Sequence, residues 1–142
     1  MTSDAPRHEP VMVSEMLEHL APGRGGVFVD CTVGLGGHAR ALLDAGASQL
    51  IGLDRDPAAL EHARAALGGY GDRVALVHSD YRELEPVLDA RGIAAVDGVL
   101  ADLGVSSLQL DAEGRGFSFR RDEPLDMRMD TTAGPTAAEA LR

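Results

Sequence analysis

Short apolar runs alternate with amphipathic stretches along the chain, and the runs predict four buried strands. They are Val27–Asp30, Leu50–Leu53, Val74–His78 and Val96–Asp102. Apolar residues at helical spacing precede the first run and follow each of the first three. Strands joined by helical crossovers predict an α/β fold, a doubly wound parallel sheet that binds its ligand at the carboxyl ends of the strands.

Two of the predicted helices have recognisable boundaries. The first follows Pro10 and ends at Pro22. In the third, Asp56 is the predicted N-cap and Pro57 the first helical residue, with Gly68 as the expected stop. We therefore interpret Asp56 as a cap rather than as a catalytic group.

The turn after the first strand is rich in glycine, with Gly34, Gly36 and Gly37 leading into a helix. Glycine lets a ligand touch the main chain, and the free N–H groups of a helix start point at the same place. We expect this turn to bind a nucleotide-sized cofactor, and a side chain at Gly36 to obstruct it. Asp54 follows about twenty residues later at the end of the second strand, where a carboxylate receives ribose hydroxyls.

Two cofactor classes fit this turn. The segment Gly34-Leu35-Gly36-Gly37-His38-Ala39 satisfies the G-x-G-x-x-G/A pattern of dinucleotide sites, so an NAD-dependent oxidoreductase is one alternative. Asp30 at the end of the first strand argues against it, because a carboxylate there repels a pyrophosphate. The same charge suits the amino and sulfonium groups of S-adenosylmethionine (S-adenosyl-L-methionine), which is the cofactor that we predict.

Composition narrows the class of protein. Of the 142 residues, 44% are hydrophobic and 25% charged, which is typical of one globular domain without a membrane span or signal peptide. The single cysteine, Cys31, excludes an internal disulfide and suits a reducing, cytoplasmic compartment. The formal net charge of −10 argues against a generic nucleic-acid-binding surface. His8, His19, His62 and His78 show no metal-ligand spacing, so we predict no metal site.

The segment after the fourth strand, residues 103–130, is long, irregular and punctuated by glycine. Its apolar residues, among them Phe117 and Phe119, favour a folded lid over the substrate rather than disorder. Phe117 and Phe119 could stack on a flipped base, but burying the lid against the sheet is the commoner use of such a pair. The arginines of this segment could likewise bind phosphates or form salt bridges with neighbouring acids. These arginines are Arg115, Arg120, Arg121 and Arg128.

Five blocks of sequence stand out in order along the chain. They are His8-Glu9-Pro10-Val11, Asp30-Cys31-Thr32-Val33-Gly34-Leu35-Gly36-Gly37-His38, Asp54-Arg55-Asp56-Pro57, Asp102–Ser107 and Arg115–Asp130. Together they resemble the bacterial ribosomal small-subunit RNA cytosine-N4 methyltransferase family, from His8 to the end of the chain. Two of the blocks are long and unusual in composition, so the set is far more specific than a glycine motif alone.

The resemblance implies a fold and an activity. Members of the family are class I, Rossmann-like methyltransferases, in which the four strands would lie in the order third, second, first, fourth. They transfer a methyl group from S-adenosylmethionine to the exocyclic N4 of a cytidine in small-subunit (16S) ribosomal RNA. The implied partner is therefore this RNA or the small ribosomal subunit.

The resemblance also implies the site residues. The implied cofactor-binding residues are Gly36, Gly37, His38, Asp54, Tyr81, Asp102 and Gln109. Asp102 is the candidate catalytic residue, because attack by N4 requires an acceptor for an N–H proton or a group that orients the amine. The alternative role of Asp102 is that of a cofactor ligand alone. Tyr81 stands where phenylalanine is common in the family, and Leu108 replaces a proline that usually follows the paired serines.

The family pattern divides the chain and extends beyond it. Residues 1–110 correspond to the cofactor-binding core, and residues 111–142 to the lid and the start of a helical substrate domain. Family members continue for about as many residues again, so we expect this chain to be an incomplete, amino-terminal portion. A non-catalytic cofactor-binding fragment is therefore an alternative to an active enzyme.

The predicted fourth strand would lie at an open edge of the sheet. The run Val96–Ala101 is apolar in character and carries no lysine or proline to discourage pairing with another chain. We predict that the chain forms a homo-oligomer or aggregates through this edge, with little or no methyl transfer activity alone.

Overall fold

The structure, a computed structural model, describes residues 10–104, 109–110, 112, 114–118 and 121–141. Several residues singled out in the sequence lie outside this described part, namely His8, Ser106, Ser107, Leu108, Phe119 and Arg120. The chain divides into two compact units. The larger unit is Glu9–Leu103, and the smaller one combines Met1–His8 with Gly104–Arg142.

The described part of the larger unit alternates strands with helices. The strands are β1 (Val27–Asp30), β2 (Gln49–Asp54), β3 (Val74–His78) and β4 (Gly98–Leu100). The helices are α1 (Val13–Leu20), α2 (Gly37–Asp44), α3 (Pro57–Leu67) and α4 (Leu84–Ala90). Short 3-10 turns occupy Pro22–Arg24, Gly68–Arg73 and Tyr81–Glu83.

The four strands form one parallel sheet in the order β3-β2-β1-β4. This order confirms the predicted Rossmann-like, doubly wound topology. The register places Asp30 beside Gly52 on one side and Leu100 on the other. Because all four strands run in the same direction, their carboxyl ends meet at one edge of the sheet, and the glycine turn leaves β1 at that edge.

Helices cover both faces of the sheet. The first three helices pack on one face around Phe28, Leu42 and Leu50. Helix α4 packs on the opposite face, around Val29 and Ile51. Neighbouring residues of β1 therefore enter different cores, as the two-residue period of a strand requires. Burial on both faces explains why β1 and β2 are apolar almost throughout.

Helix α3 begins and ends where the sequence predicts. The Asp56 carboxylate accepts a hydrogen bond from the N–H of Ala58 at 3.0 Å, and Pro57 is the first helical residue. The α-helix ends at Leu67, and Gly68 is its C-cap residue. Gly68 has a φ of −58° rather than a left-handed one, and a 3-10 turn follows as far as Arg73.

Strand β4 is shorter than the predicted run of residues 96–102. Asp97 precedes it and makes two hydrogen bonds to Val27: its carboxylate accepts the N–H of Val27 at 2.8 Å, and its own N–H donates to the Val27 carbonyl at 2.7 Å. A Cβ at Gly98 would lie 2.9 Å from the ring of Phe28, so this position admits only glycine without movement. The regular strand is confined to the three residues Gly98–Leu100.

The smaller unit has mostly irregular backbone in its described part. It ends in helix α5 (Ala137–Ala140), which begins with a capping box between Thr136 and Glu139. Across the described residues of both units, no helix combines the length and the hydropathy required to cross a membrane.

Candidate functional site

Three carboxylates stand where neighbouring strands end. Asp30 ends β1, Asp54 ends β2 and Asp102 follows β4 by two residues. The charges of Asp54 and Asp102 both raise the pKa of Asp30, so both act on this buried carboxyl group. We call this set, Asp30, Asp54 and Asp102, the acidic edge.

Asp30 is the most deeply buried member of the acidic edge, with 1% of its surface exposed. Its Oδ1 accepts the N–H of Thr32 at 3.0 Å, but its Oδ2 has no hydrogen-bond partner among the described residues. Burial raises the pKa of Asp30 to about 6, although the Thr32 amide and His38 lower it. A buried carboxylate oxygen without a donor favours a ligand group that is positively charged or carries a hydrogen.

Thr32 connects two members of the acidic edge. Its hydroxyl lies 3.5 Å from Asp30 Oδ1, and its Oγ1 accepts the backbone N–H of Asp102 at 2.7 Å. The main chain at Asp102 is thereby fixed relative to β1, while the Asp102 side chain keeps 36% of its surface exposed. The sequence-based prediction missed Thr32, because a hydroxyl two residues after an acid is equally typical of an ordinary turn.

Asp54 holds the glycine turn against the loop that follows β2. Its Oδ2 accepts the N–H of Gly34 at 2.8 Å, and its Oδ1 accepts the N–H of Asp56 at 2.9 Å. Burial raises the pKa of Asp54, and these two backbone hydrogen bonds lower it. Each carboxylate oxygen retains a second lone pair, so the predicted role in receiving ribose hydroxyls is compatible with this geometry.

The glycines of the turn serve packing as well as ligand access. Gly36 has a φ of +91°, and a Cβ there would lie 3.2 Å from Leu67 Cγ on α3. A side chain at Gly36 would therefore meet α3, and the expectation that it would also obstruct the cofactor stays a prediction. A Cβ at Gly37 would lie 3.0 Å from Pro10 Cγ, so the chain before α1 closes over the start of α2.

His38 occupies the first turn of α2 with only 7% of its surface exposed. Its Nε2 lies 2.7 Å from the carbonyl oxygen of Val11, and its Nδ1 lies 4.0 Å from Asp102 Oδ2. The side chain thus faces the chain before α1 on one side and the acidic edge on the other. Its backbone N–H, near the helix start, is the group left to face a ligand.

The remaining predicted site residues have different surroundings. Tyr81 begins the 3-10 turn after β3 and is 46% exposed, at the same edge of the sheet as Asp54. Gln109 is buried and belongs to the smaller unit. The larger unit therefore brings together the glycine turn, His38 and the acidic edge, whereas the role of Gln109 still rests on the family resemblance.

The arginines of the smaller unit hold its irregular backbone in place. Arg115 donates to the carbonyl oxygens of Arg128 and Met129 at 3.0 and 2.9 Å. Arg128 makes two hydrogen bonds to the carboxylate of Asp126, at 2.7 and 2.9 Å. The Asp126 pKa is lowered chiefly by these side-chain hydrogen bonds. For Arg115 and Arg128 the structure therefore favours internal contacts over phosphate binding.

Glu123 and Phe117 have structural roles in the same unit. The Glu123 carboxylate accepts the N–H groups of Gly114 and Gly116 at 2.6 and 2.9 Å, and these bonds lower its pKa. Phe117 is buried, and the Arg115 guanidinium lies 5.9 Å from the centre of its ring. The burial of Phe117 favours a packing role over stacking on a flipped base.

Known proteins are similar in sequence to this chain. A model of the MraW methylase family matches residues 5–142. The Ribosomal RNA small subunit methyltransferase H of Parafrankia sp. (strain EAN1pec) is 56% identical over 138 residues, which cover 94% of this chain and 42% of the relative. The protein of the same name from Syntrophotalea carbinolica is 54% identical over 143 residues, with coverages of 99% and 46%. The chain therefore spans less than half the length of these relatives.

Solved structures share the fold. A SAM-dependent O-methyltransferase from Thermotoga maritima matches with a TM-score of 0.51 and 19% sequence identity, over 68% of this chain and 37% of that one. At this level of identity the likeness concerns the fold, and it confirms the Rossmann-like class of the sheet.

Proposed function

This chain belongs to the MraW methylase family, and we propose on that basis that it binds S-adenosylmethionine as part of an RNA methyltransferase. The proposed methyl acceptor is the exocyclic N4 of a cytidine in small-subunit ribosomal RNA. The relatives named Ribosomal RNA small subunit methyltransferase H support this substrate, and a ribosomal substrate implies the cytoplasm as the compartment. The chain spans 42–46% of the length of those relatives. Cofactor binding and methyl transfer by this chain alone are therefore two proposals, and each is tested by its own measurement.

The acidic edge is the main observation that supports S-adenosylmethionine as the cofactor. Three carboxylates beside a glycine turn repel the pyrophosphate of a dinucleotide, which disfavours the NAD-dependent alternative. They attract a cofactor that carries ammonium and sulfonium charges. The unpartnered Oδ2 of Asp30 is the buried acceptor that such a group requires.

Each predicted site residue has a proposed contact with S-adenosylmethionine. Backbone N–H groups at Gly37 and His38 face the ligand from the start of α2, and Asp54 receives the ribose hydroxyls. The Gly36 N–H donates to the carbonyl oxygen of Val33 at 2.9 Å, so the proposed contact of Gly36 is a close approach of its main chain. Tyr81 offers an exposed ring face for stacking. Gln109 and Asp102 complete the proposed contacts. In this proposal residues 1–110 form the cofactor-binding core, and residues 111–142 form the lid and the start of a substrate domain.

Asp102 is the proposed catalytic residue. When bound, the cofactor supplies a methyl group on a sulfonium centre that is open to in-line attack. The lone pair of N4 is shared with the cytosine ring, so the amine must be oriented and must lose a proton. The Asp102 carboxylate is partly exposed while its backbone is held by Thr32, so it combines access to substrate with a fixed position.

Methyl transfer onto isolated small subunits tests the proposal. With radiolabelled S-adenosylmethionine and subunits that lack the modification, label on N4 of a single cytidine supports an active enzyme and contradicts the expectation of little or no transfer by this chain alone. Asp102→Asn is expected to lower the rate at least about 100-fold, with cofactor affinity measured in parallel by calorimetry. Cofactor binding without transfer would favour the non-catalytic alternative, and binding of NAD in place of S-adenosylmethionine would contradict the proposal.

A further inference from the structure

The two ring nitrogens of His38 have different partners. A carbonyl oxygen only accepts hydrogen bonds, so the 2.7 Å contact with Val11 requires a hydrogen on Nε2. In the neutral imidazole the other nitrogen, Nδ1, then carries a lone pair. That lone pair lies 4.0 Å from Asp102 Oδ2, which is too long for a hydrogen bond and short enough for an ion pair.

Two carboxylates act on His38. Asp102 faces the ring from the segment after β4, and Asp30 interacts with it from the end of β1. The segment that supplies the Val11 carbonyl, Pro10–Met12, contains no titratable side chain. Burial of the ring reduces the screening of these charges by water.

We propose that His38 is a positioning residue that receives, through Asp102, the proton released by the methyl acceptor. This inference rests on the proposed function. N4 forms a bond to the methyl carbon as the carbon–sulfur bond breaks, and the electron pair of that bond stays on sulfur. The N4–H electron pair stays on nitrogen, and its proton moves to Asp102 Oδ2 and then to His38 Nδ1.

The contacts of His38 suit the neutral ring before the proton transfer and the imidazolium after it. Before the reaction, a lone pair and a carboxylate face each other with no hydrogen between them. After it, an imidazolium donates from Nδ1 toward Asp102 while Nε2 keeps its bond to Val11, so both nitrogens are donors with acceptors. The repulsion between the Nδ1 lone pair and the carboxylate is replaced by the attraction of an ion pair.

Two substitutions at His38 distinguish the role of Nδ1 from the role of Nε2. In His38→Gln, the longer amide reaches the Val11 carbonyl but provides no acceptor at the Nδ1 position. In His38→Asn, the shorter amide lies near the Nδ1 position and loses the Val11 contact. We expect His38→Gln to keep the wild-type melting temperature and cofactor affinity while its single-turnover rate falls about 10- to 100-fold. His38→Asn is the matched control, with a lower melting temperature.

The pH profile and the double variant distinguish this relay from a structural role. The single-turnover rates of the wild type and of His38→Gln are compared across pH, and the two profiles are expected to differ because the variant has no imidazole to carry the proton. Combined with Asp102→Asn, the His38→Gln change is expected to cause little further loss, since both act on one proton. An unaltered profile, or losses that multiply, would overturn the relay.

A measurement independent of activity tests the geometry. The ring nitrogens of ¹⁵N-labelled histidine are expected to show His38 as the Nε2–H tautomer. An Nδ1–H tautomer would overturn the inference, since Nδ1 could not then accept the proton. A wild type that binds the cofactor and transfers no methyl group overturns the proposed function, whereas active enzyme with His38→Gln unaffected overturns the relay alone.

Discussion

At the scale of single residues, the ionised Asp30 carboxylate lowers the free energy of unfolding of the ligand-free protein. Its burial raises its pKa from 3.8 to about 6, so the folded state binds this proton more tightly than the unfolded chain does. Between these two pH values the folded state holds more protons, and the free energy of unfolding therefore falls as pH rises through the window. Below it the two states are equally protonated, and above it the loss is complete, on the order of 2–3 kcal/mol.

Asp30→Asn is expected to remove this part of the pH dependence. In urea unfolding from about pH 4 to pH 7, the free energy of unfolding of the wild type minus that of the variant should fall by about 2–3 kcal/mol. Asp72→Asn, at an exposed carboxylate, is the matched control and should run parallel to the wild type. Parallel profiles for the wild type and Asp30→Asn would contradict the assignment.

The residues of the site were predictable to different degrees. Asp30, Asp54 and Asp102 follow apolar strands, and the parallel topology alone brings such positions together. Thr32 and the contact between His38 and Val11 were not predictable in the same way. They depend on bonds between residues that lie 70 and 27 positions apart, which no local pattern encodes.

At the scale of elements, local signals predicted both ends of α3. The Asp56 cap and Pro57 start are a local arrangement, and α3 begins there. Gly68 is the C-cap residue at the other end, with helical rather than left-handed backbone. No Cβ contact within 4 Å constrains Gly68, whereas Gly36 is packed against α3. The two glycines therefore differ in packing, which sequence pattern does not reveal.

Gly36→Ala is expected to destabilise the packing of α2 on α3 by about 1–3 kcal/mol. Part of this arises from the left-handed φ of +91°, and part from the 3.2 Å approach of the new Cβ to Leu67 Cγ. In a Leu67→Ala background only the backbone part remains, so a double-mutant cycle by urea unfolding should show coupling of about 1 kcal/mol.

Gly68→Ala is the matched control for this cycle. Its φ of −58° and open surroundings make it neutral, or stabilising by about 0.5–1 kcal/mol. If Gly36→Ala were as well tolerated as Gly68→Ala, the packing account of the glycine turn would be wrong.

At the scale of the whole molecule, the strand order and the family were both predictable from sequence. Alternating strands and helices predicted the parallel sheet, and the five sequence blocks identified the family, which the match over residues 5–142 confirms. The internal bonding of the smaller unit was left open in the sequence. Acidic and basic residues are interleaved there, and only the folded backbone determines that Arg128 pairs with Asp126.

Strand β4 gives the molecule an edge that can pair with another chain. In the described sheet β4 pairs with β1 alone, and Val99 is 46% exposed. We predict that the 142-residue chain self-associates in light scattering as its concentration rises, and that Val99→Lys reduces this association. Val11→Lys, at an exposed apolar residue outside the sheet, is the control. A wild type that stays monomeric at every concentration would contradict the prediction.

Calorimetric titration with S-adenosylmethionine and with NAD tests the central claim most directly. The wild type is expected to bind S-adenosylmethionine and not NAD, because the acidic edge attracts a cation and repels a pyrophosphate. Asp54→Asn should weaken the binding of S-adenosylmethionine by about tenfold or more, as the ribose hydroxyls lose a charged acceptor. The melting temperature of the ligand-free variant shows whether it remains folded. Preferential binding of NAD, or full affinity in a folded Asp54→Asn, would contradict the account.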